Sequence, residues 1–427
     1  MFDAGSSALT VGLTSTLLSA CALFRFWPGR STIATVLFSC FSMIATLFPL
    51  QLALVATLLL AWSVKSGSTD SVVGCIGLAF GVFAVIGFVV FIARQLASRD
   101  VLKNALDQAL GTSTPTEGKV QVKPQFLRLL RPLNSRRSDI ERIRDLSYGP
   151  AGVRNLLDIY RPRDVLASGK PLPVLMQVHG SAWVIGNKNG QALPLIYHMA
   201  ARGWVVVSIN YRLSPAARFP AHLVDVKRAI AWVRKHIAQY GGDPDFICVT
   251  GGSAGGHLAT LAALLPARSD LQPGFESVNT SVKAAVPIYG RYDFLGRDET
   301  PVVQKLFVQF LTRYVMPAPP ETMPELWELA SPISQVHVNA PPFFVIQGGY
   351  DCVVPVAGAR IFAERLRAIS RAVVAYAELP GLQHGFDIVR SPATEFTIHA
   401  AHRFLDAQHR IYQDGQSLIA TSAGNET

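Results

Sequence analysis

At 427 residues the chain exceeds the usual size of one domain, and its first 93 residues differ sharply in character from the remainder. Of five cysteines, Cys21, Cys40 and Cys75 lie in apolar runs and only Cys248 and Cys352 fall outside them, so no disulfide framework is implied. The net charge of +10 does not argue for a nucleic-acid partner, because Arg94, Arg99, Lys103, Lys119, Lys123, Arg128, Arg131, Arg136 and Arg137 concentrate it just after the apolar region, where an anionic lipid surface accounts for it.

Residues 1–93 read as a transmembrane region. Between Asp3 and Lys65 the only charges are Arg25 and Arg30, and between Asp70 and Arg94 there are none. Leu9–Phe24 is a marginal span, whereas Ile33–Trp62 and Val72–Ala93 are long enough for the roughly 30 Å hydrocarbon layer. Pro49 either kinks the second run or divides it, so about three spans are expected, or four. The runs contain no interior Asp, Glu, Lys, Arg or His, which argues against a transporter. With three spans, the basic first loop and everything after Ala93 share a side, and the positive-inside rule predicts a multi-pass protein with its C-terminal domain in the cytoplasm. The stretch "LSAC" (Leu18–Cys21) resembles a lipoprotein cleavage box, but residues 1–8 lack the basic start of a signal peptide.

Residues 94–139 form a basic connector containing the turn-rich "LGTSTPTEGKVQVKP", and "FLRLLRPL" is expected on the membrane surface or against the following domain. From 140 to 410, strand-length apolar runs at 155–160, 174–179, 204–210, 246–250, 284–289, 343–348 and 373–378 alternate with helical patterns such as 222–240. Such alternation predicts an α/β domain with a mostly parallel sheet flanked by helices. Residues 290–340 interrupt it with an insertion, whose "PVVQKLFVQFLTRYV" has the makings of a lid helix. Residues 411–427 are a tail.

The chemistry gathers around Ser253. A serine hydroxyl needs a base to take its proton and donors to hold the developing oxyanion. "GGSAGG" (Gly251–Gly256) follows the strand "FICVT" and opens the helix "HLATLAALL", the context of a nucleophile elbow. A phosphate loop would require Lys and Ser or Thr after Gly256, and the chain has His257 and Leu258. With no His-Glu-x-x-His or Cys-x-x-Cys pair, neither a metal nor another cofactor is expected. His384 in "LPGLQHGFDI" is the expected base, late and between a strand and the terminal helix. His257, four residues into the helix, is expected to point elsewhere, and His399, His402 and His409 have the spacing of solvated or core residues. The acid should follow "FFVIQG", which selects Asp351, with Asp293 as runner-up. The order Ser253, Asp351, His384 is that of an α/β-hydrolase, and the oxyanion loop is expected at "VHGSAWVIG".

Together, His179–Trp183, "YRLSPAARFPA" (211–221), "GGSAGG", "GGYDCVVP" and "QHGF" resemble the hormone-sensitive-lipase-like carboxylesterases over roughly residues 140–410, with a layout similar to membrane-anchored bacterial members. The resemblance implies a serine carboxylic-ester hydrolase acting on small-molecule or lipid esters with an apolar acyl group. It implies that Ser253 attacks, His384 serves as base then acid, Asp351 orients the imidazole, and the amides of Ser181, Ala182 and Ala254 receive the oxyanion while Gly180 shapes the turn. One departure is "HGSA" where the family commonly has "HGGG", so side chains at Ser181 and Ala182 bear on the size of the acyl group. An amide hydrolase of the arylformamidase type keeps the same residues, and a silent binding protein on this fold need not keep them.

Overall fold

The computed structural model describes residues 4–23, 32–111, 129 and 131–424. The apolar runs after Ile140 assemble into one mixed sheet of eight strands, in the order β1-β2-β4-β3-β5-β6-β7-β8. These are β1 (Ile140–Ser147), β2 (Leu156–Pro162), β3 (Leu172–Val178), β4 (Val205–Ile209), β5 (Gly242–Gly252), β6 (Ala284–Ile288), β7 (Phe343–Gly348) and β8 (Val374–Leu379). From β4 to β8 all neighbours are parallel, and β2 runs against both β1 and β4. Every expected strand run coincides with β2–β8. The edge strand β1 had no apolar signal: with Glu141, Arg142, Arg144 and Asp145 it is a polar edge, and charged edges discourage pairing with other chains.

Both faces of the sheet are covered, which is why the central strands are continuously apolar rather than alternating. Val174, Met176, Val178, Ile247 and Val249 face a layer containing helices Ala221–His236 and Ala254–Leu264. Leu175, Val206, Phe246, Cys248 and Val286 face the opposite layer, built from Leu193–Ala200 and the terminal helix Pro392–Gly424. Each fully buried side chain of this size contributes about 1.5–3 kcal/mol of transfer free energy.

Among the described residues, four α-helices of more than one turn precede the sheet: α1 (Ala4–Leu23), α2 (Thr32–Leu47), α3 (Pro49–Lys65) and α4 (Val72–Leu110). Two of them, α1 and α4, are each long and apolar enough to cross a membrane. The expected span Ile33–Trp62 is broken at Phe48. Proline is favoured at the start of a helix and cannot continue one, so Pro49 opens α3, and the chain bends by 95° there. The bent pair adds a third span only if it counts as one.

The helix that begins at Val72 does not stop at Ala93 but continues to Leu110. No Gly or Pro intervenes before Gly111, and Leu102 and Leu106, four residues apart, bury one face against the layer containing Phe396 and Phe404 of the terminal helix. Arg403 adds an ion pair to Asp107 at 2.6 Å. The first part of the expected connector is therefore a rigid extension of α4. Residues 112–128, with Lys119, Lys123 and Arg128, lie outside the described residues, so that half of "FLRLLRPL" (126–133) is described; within it, the Leu129 carbonyl accepts a hydrogen bond from Gln51 Nε2 of α3 at 2.7 Å.

Candidate active site

The strand β5 ends in two glycines, and the chain reverses into the helix Ala254–Leu264 at a single residue. That residue is Ser253, with φ 57° and ψ −122°, a conformation rarely adopted by a residue with a side chain. The turn closes because neighbouring positions have no Cβ. A Cβ at Gly255 would lie 2.1 Å from the carbonyl oxygen of Val178, a backbone atom of the adjacent strand. The Ser253 N–H donates to the Ile288 carbonyl at 3.0 Å, fixing the turn to β6 and leaving Oγ at the C-terminal end of the sheet.

His384 and Asp351 come from the loops after β8 and β7 and meet Ser253 across that end. His384 Nε2 stands 2.9 Å from Ser253 Oγ, and Nδ1 stands 2.8 Å from Asp351 Oδ2. A carboxylate only accepts, so Nδ1 carries the proton and Nε2 is left as acceptor for the serine hydroxyl. Asp351 is buried, and it is held in place by the N–H groups of Val353 and Val354, at 2.9 and 2.8 Å, and by Gln347 Nε2 at 3.0 Å. The Tyr289 ring lies 4.6 Å from the His384 imidazole, and its hydroxyl donates to the buried carboxylate of Asp387.

Asp293, the runner-up, is employed elsewhere. It receives Arg297 Nε at 2.9 Å and the N–H groups of Leu295 and Arg297. Burial opposes its charge, but the Arg297 contacts outweigh burial and lower its pKa. His257 points away from Ser253, as its place in the helix suggested. Its Nε2 donates to the Ala330 carbonyl at 2.7 Å, and its Nδ1 accepts from Trp183 Nε1 at 3.2 Å. Burial and the guanidinium of Arg291 push its pKa down to about 3, so it stays neutral and able to accept from Trp183.

The loop after β3 has three consecutive residues with positive φ: Ser181 at 77°, Ala182 at 54° and Trp183 at 62°. Gln191 holds this run. Its Oε1 accepts from Gly180 N–H at 2.6 Å, and its Nε2 donates to Ser181 Oγ at 3.0 Å. Gly180 N–H is thus engaged. Among the described residues no protein acceptor meets the N–H groups of Ser181 and Ala182. Ala254, the first residue of its helix, has no intrahelical acceptor for its N–H. Behind the loop, His179 stacks on Tyr211 at 4.3 Å, and burial lowers its pKa to about 4. The insertion touches the same loop, through Phe294 against Trp183 at 5.1 Å.

Ser253, His384 and Asp351 are therefore brought together, with Ser181, Ala182 and Ala254 beside them. Gln191, Gln347 and Tyr289 were not anticipated. Each acts through a tertiary contact, and Gln191 lies in the polar stretch "GNKNGQALP", which has no periodicity to mark it. Among the described residues no group of three or more His, Cys, Asp or Glu side chains is arranged to hold a metal ion.

Known proteins similar to this chain are named as esterases. The BD-FAE family profile matches residues 157–366. The chain is 51% identical over 261 residues to esterase LipQ and 45% identical over 314 residues to the probable carboxylic ester hydrolase LipM, both of Mycobacterium tuberculosis. These matches cover 61% of this chain and 61% of LipQ, and 71% of this chain and 71% of LipM. Among solved structures, a truncated carbohydrate esterase from gut microbiota superposes with a TM-score of 0.52 at 25% identity, covering 63% of this chain and 96% of that one.

Proposed function

The chain belongs to the hormone-sensitive-lipase-like carboxylesterases, and from that premise we propose that it hydrolyses carboxylic esters through an acyl-enzyme on Ser253. The observation that carries the reading is the unbroken line from Ser253 Oγ through His384 to the buried Asp351, beside the amides of Ser181 and Ala182, which have no protein acceptor among the described residues. Ser253 Oγ forms a bond to the ester carbonyl carbon as its proton passes to His384 Nε2. The oxyanion is held by the amides of Ser181, Ala182 and Ala254. Collapse breaks the bond to the alkoxy oxygen, which leaves with the proton from His384. A water then attacks the acyl-serine, giving its proton to His384, and the carboxylic acid departs as Ser253 is reprotonated. Asp351 holds the Nδ1–H tautomer throughout and stabilises the imidazolium. The side chains of Ser181 and Ala182, where two glycines are commoner, narrow the space beside the acyl carbon and favour slim acyl groups.

The hydrolase unit is anchored by its N-terminal helices and faces the cytoplasm. Support comes from the lengths of α1 and α4 and from Arg94, Arg99 and Lys103 directly after the last apolar run. Protease accessibility of the C-terminus in sealed membranes tests the orientation.

Full-length protein and its Ser253→Ala, His384→Ala, Asp351→Ala and Asp293→Ala variants, assayed on p-nitrophenyl esters from acetate to palmitate, test the mechanism. Loss of Ser253 or His384 should lower kcat by about 10⁴-fold or more. Asp293→Ala should retain much more activity than Asp351→Ala; the reverse order would move the acid to Asp293. A parent protein that cleaves none of these esters and takes no fluorophosphonate label on Ser253 would refute the reading.

A further inference from the structure

The loops carrying His384 and Asp351 are approached on one side by the N-terminal helices. A Cβ at Gly385, next to His384, would come within 3.4 Å of Met43 Sδ in α2. A Cβ at Gly381, at the start of the same loop, would come within 3.3 Å of Arg94 Cδ in α4. The Arg94 guanidinium donates to the Leu23 carbonyl at the end of α1, at 2.7 Å, and lies 6.0 Å from the ring of Tyr350, which precedes Asp351. Tyr350 N–H in turn donates to the Leu382 carbonyl at 2.9 Å, so the two loops and the helix ends form one connected unit.

The depth of this junction follows from the sequence of the helices. Arg94 is the first charge after the apolar run that starts at Val72, and an arginine at the end of a span keeps its charged head at the interface while its stem lies along apolar surface. On α2, Met43 is flanked by Phe41 and Ile44, which are 40% and 42% exposed. One turn of α2 thus presents apolar side chains outward and touches the residue after His384 on its other side. The outward faces of α1, α3 and α4 continue the same belt, with Leu17, Leu58, Val82, Phe83 and Val89 exposed.

We propose that the active site lies at the boundary between headgroups and hydrocarbon, and that its substrate is a bilayer-resident lipid ester whose carbonyl sits at that depth and is attacked in place. This rests on the esterase reading and on the helices being membrane-embedded, and it adds the substrate class and its route. A long-chain glyceride meets the requirement, because its ester carbonyls lie at the interface while its chains fill the hydrocarbon layer.

The test uses full-length protein reconstituted in vesicles of non-hydrolysable diether phosphatidylcholine, with p-nitrophenyl butyrate as a soluble reference. A long-chain monoacylglycerol is placed in the same vesicles, as is a cholesterol-anchored butyrate ester held above the surface on a polyethylene glycol spacer. The monoacylglycerol should be cleaved about tenfold faster than the spacer-held ester at equal surface density, since only its carbonyl is confined at the depth of Ser253. Its rate should also fall in proportion when the ester is diluted with diether lipid at constant total ester. Equal or faster cleavage of the spacer-held ester, or a rate set by total ester irrespective of its mole fraction, with p-nitrophenyl butyrate turnover intact, would overturn the proposal and leave the esterase reading standing. Failure on every ester, the soluble reference included, would instead bring down the esterase reading and this proposal with it.

Discussion

Replacing Gln191 tests whether the oxyanion loop is held by one side chain. In Gln191→Ala the Gly180 N–H loses its acceptor at 2.6 Å and Ser181 Oγ loses its donor at 3.0 Å. An unsatisfied buried donor costs about 1–3 kcal/mol, and the loop can escape that cost only by turning Gly180 toward another partner. Turning it moves the amides of Ser181 and Ala182, which follow directly and are strained at positive φ. Outright loss of one oxyanion donor costs about 10²–10³-fold in kcat, so displacement of two should cost roughly 10- to 100-fold, with KM little changed. Gln191→Glu separates packing from electrostatics. Its carboxylate still accepts from Gly180 N–H, so the melting temperature should stay near that of the parent. It also sets a negative charge beside the developing oxyanion, and kcat should fall at least as far as in Gln191→Ala. Steady-state kinetics on p-nitrophenyl butyrate, beside thermal melts in the same detergent, read both effects. If either variant keeps kcat within about threefold of the parent, the loop is held by other means and the reasoning fails.

Two further outcomes follow from burial and close approach. Gly255→Ala puts a methyl group 2.1 Å from the Val178 carbonyl and 2.6 Å from the His179 carbonyl, neither of which can retreat without disturbing the β3–β5 pairing, so it should destabilise the fold by about 3 kcal/mol or more and abolish fluorophosphonate labelling. An unchanged melting temperature would show that the elbow is looser than its geometry implies. Acid should also destabilise the protein, because burial lowers His179 and His399 to about 4 and His222 and His257 to about 3, from an ordinary value of 6.5. The folded state then binds fewer protons than the unfolded chain, so the stability they confer is full above pH 6.5 and is lost as pH falls toward 4, at about 1.4 kcal/mol per pH unit for each histidine. Melts across that window would contradict this if the midpoint stayed constant.

Much of the protein was legible in one dimension because its signals are local. Continuous apolar runs such as "WVVVSIN" announce strands buried on both faces, and the glycines around Ser253 mark a strained turn whose serine is the nucleophile candidate. His384 and Asp351 could be singled out as candidates too, since the hydrolase pattern puts a base and an acid after particular strands. The extension of α4 to Leu110 was concealed beneath a basic composition: charge suggested a connector, whereas the apolar repeat at Leu102 and Leu106 is buried in the layer that contains the terminal helix. The partners of Asp351 and Asp293 were likewise open until the fold placed Arg297 beside Asp293 and His384 beside Asp351. Gln191 and Met43 carried no signal, because what each does depends on a partner distant in sequence. Local pattern determined the elements, the elbow and the order of the chemistry. The tertiary structure alone decided which polar side chains hold the loop and how near the N-terminal helices stand to His384, because those contacts form only when distant segments close on one another.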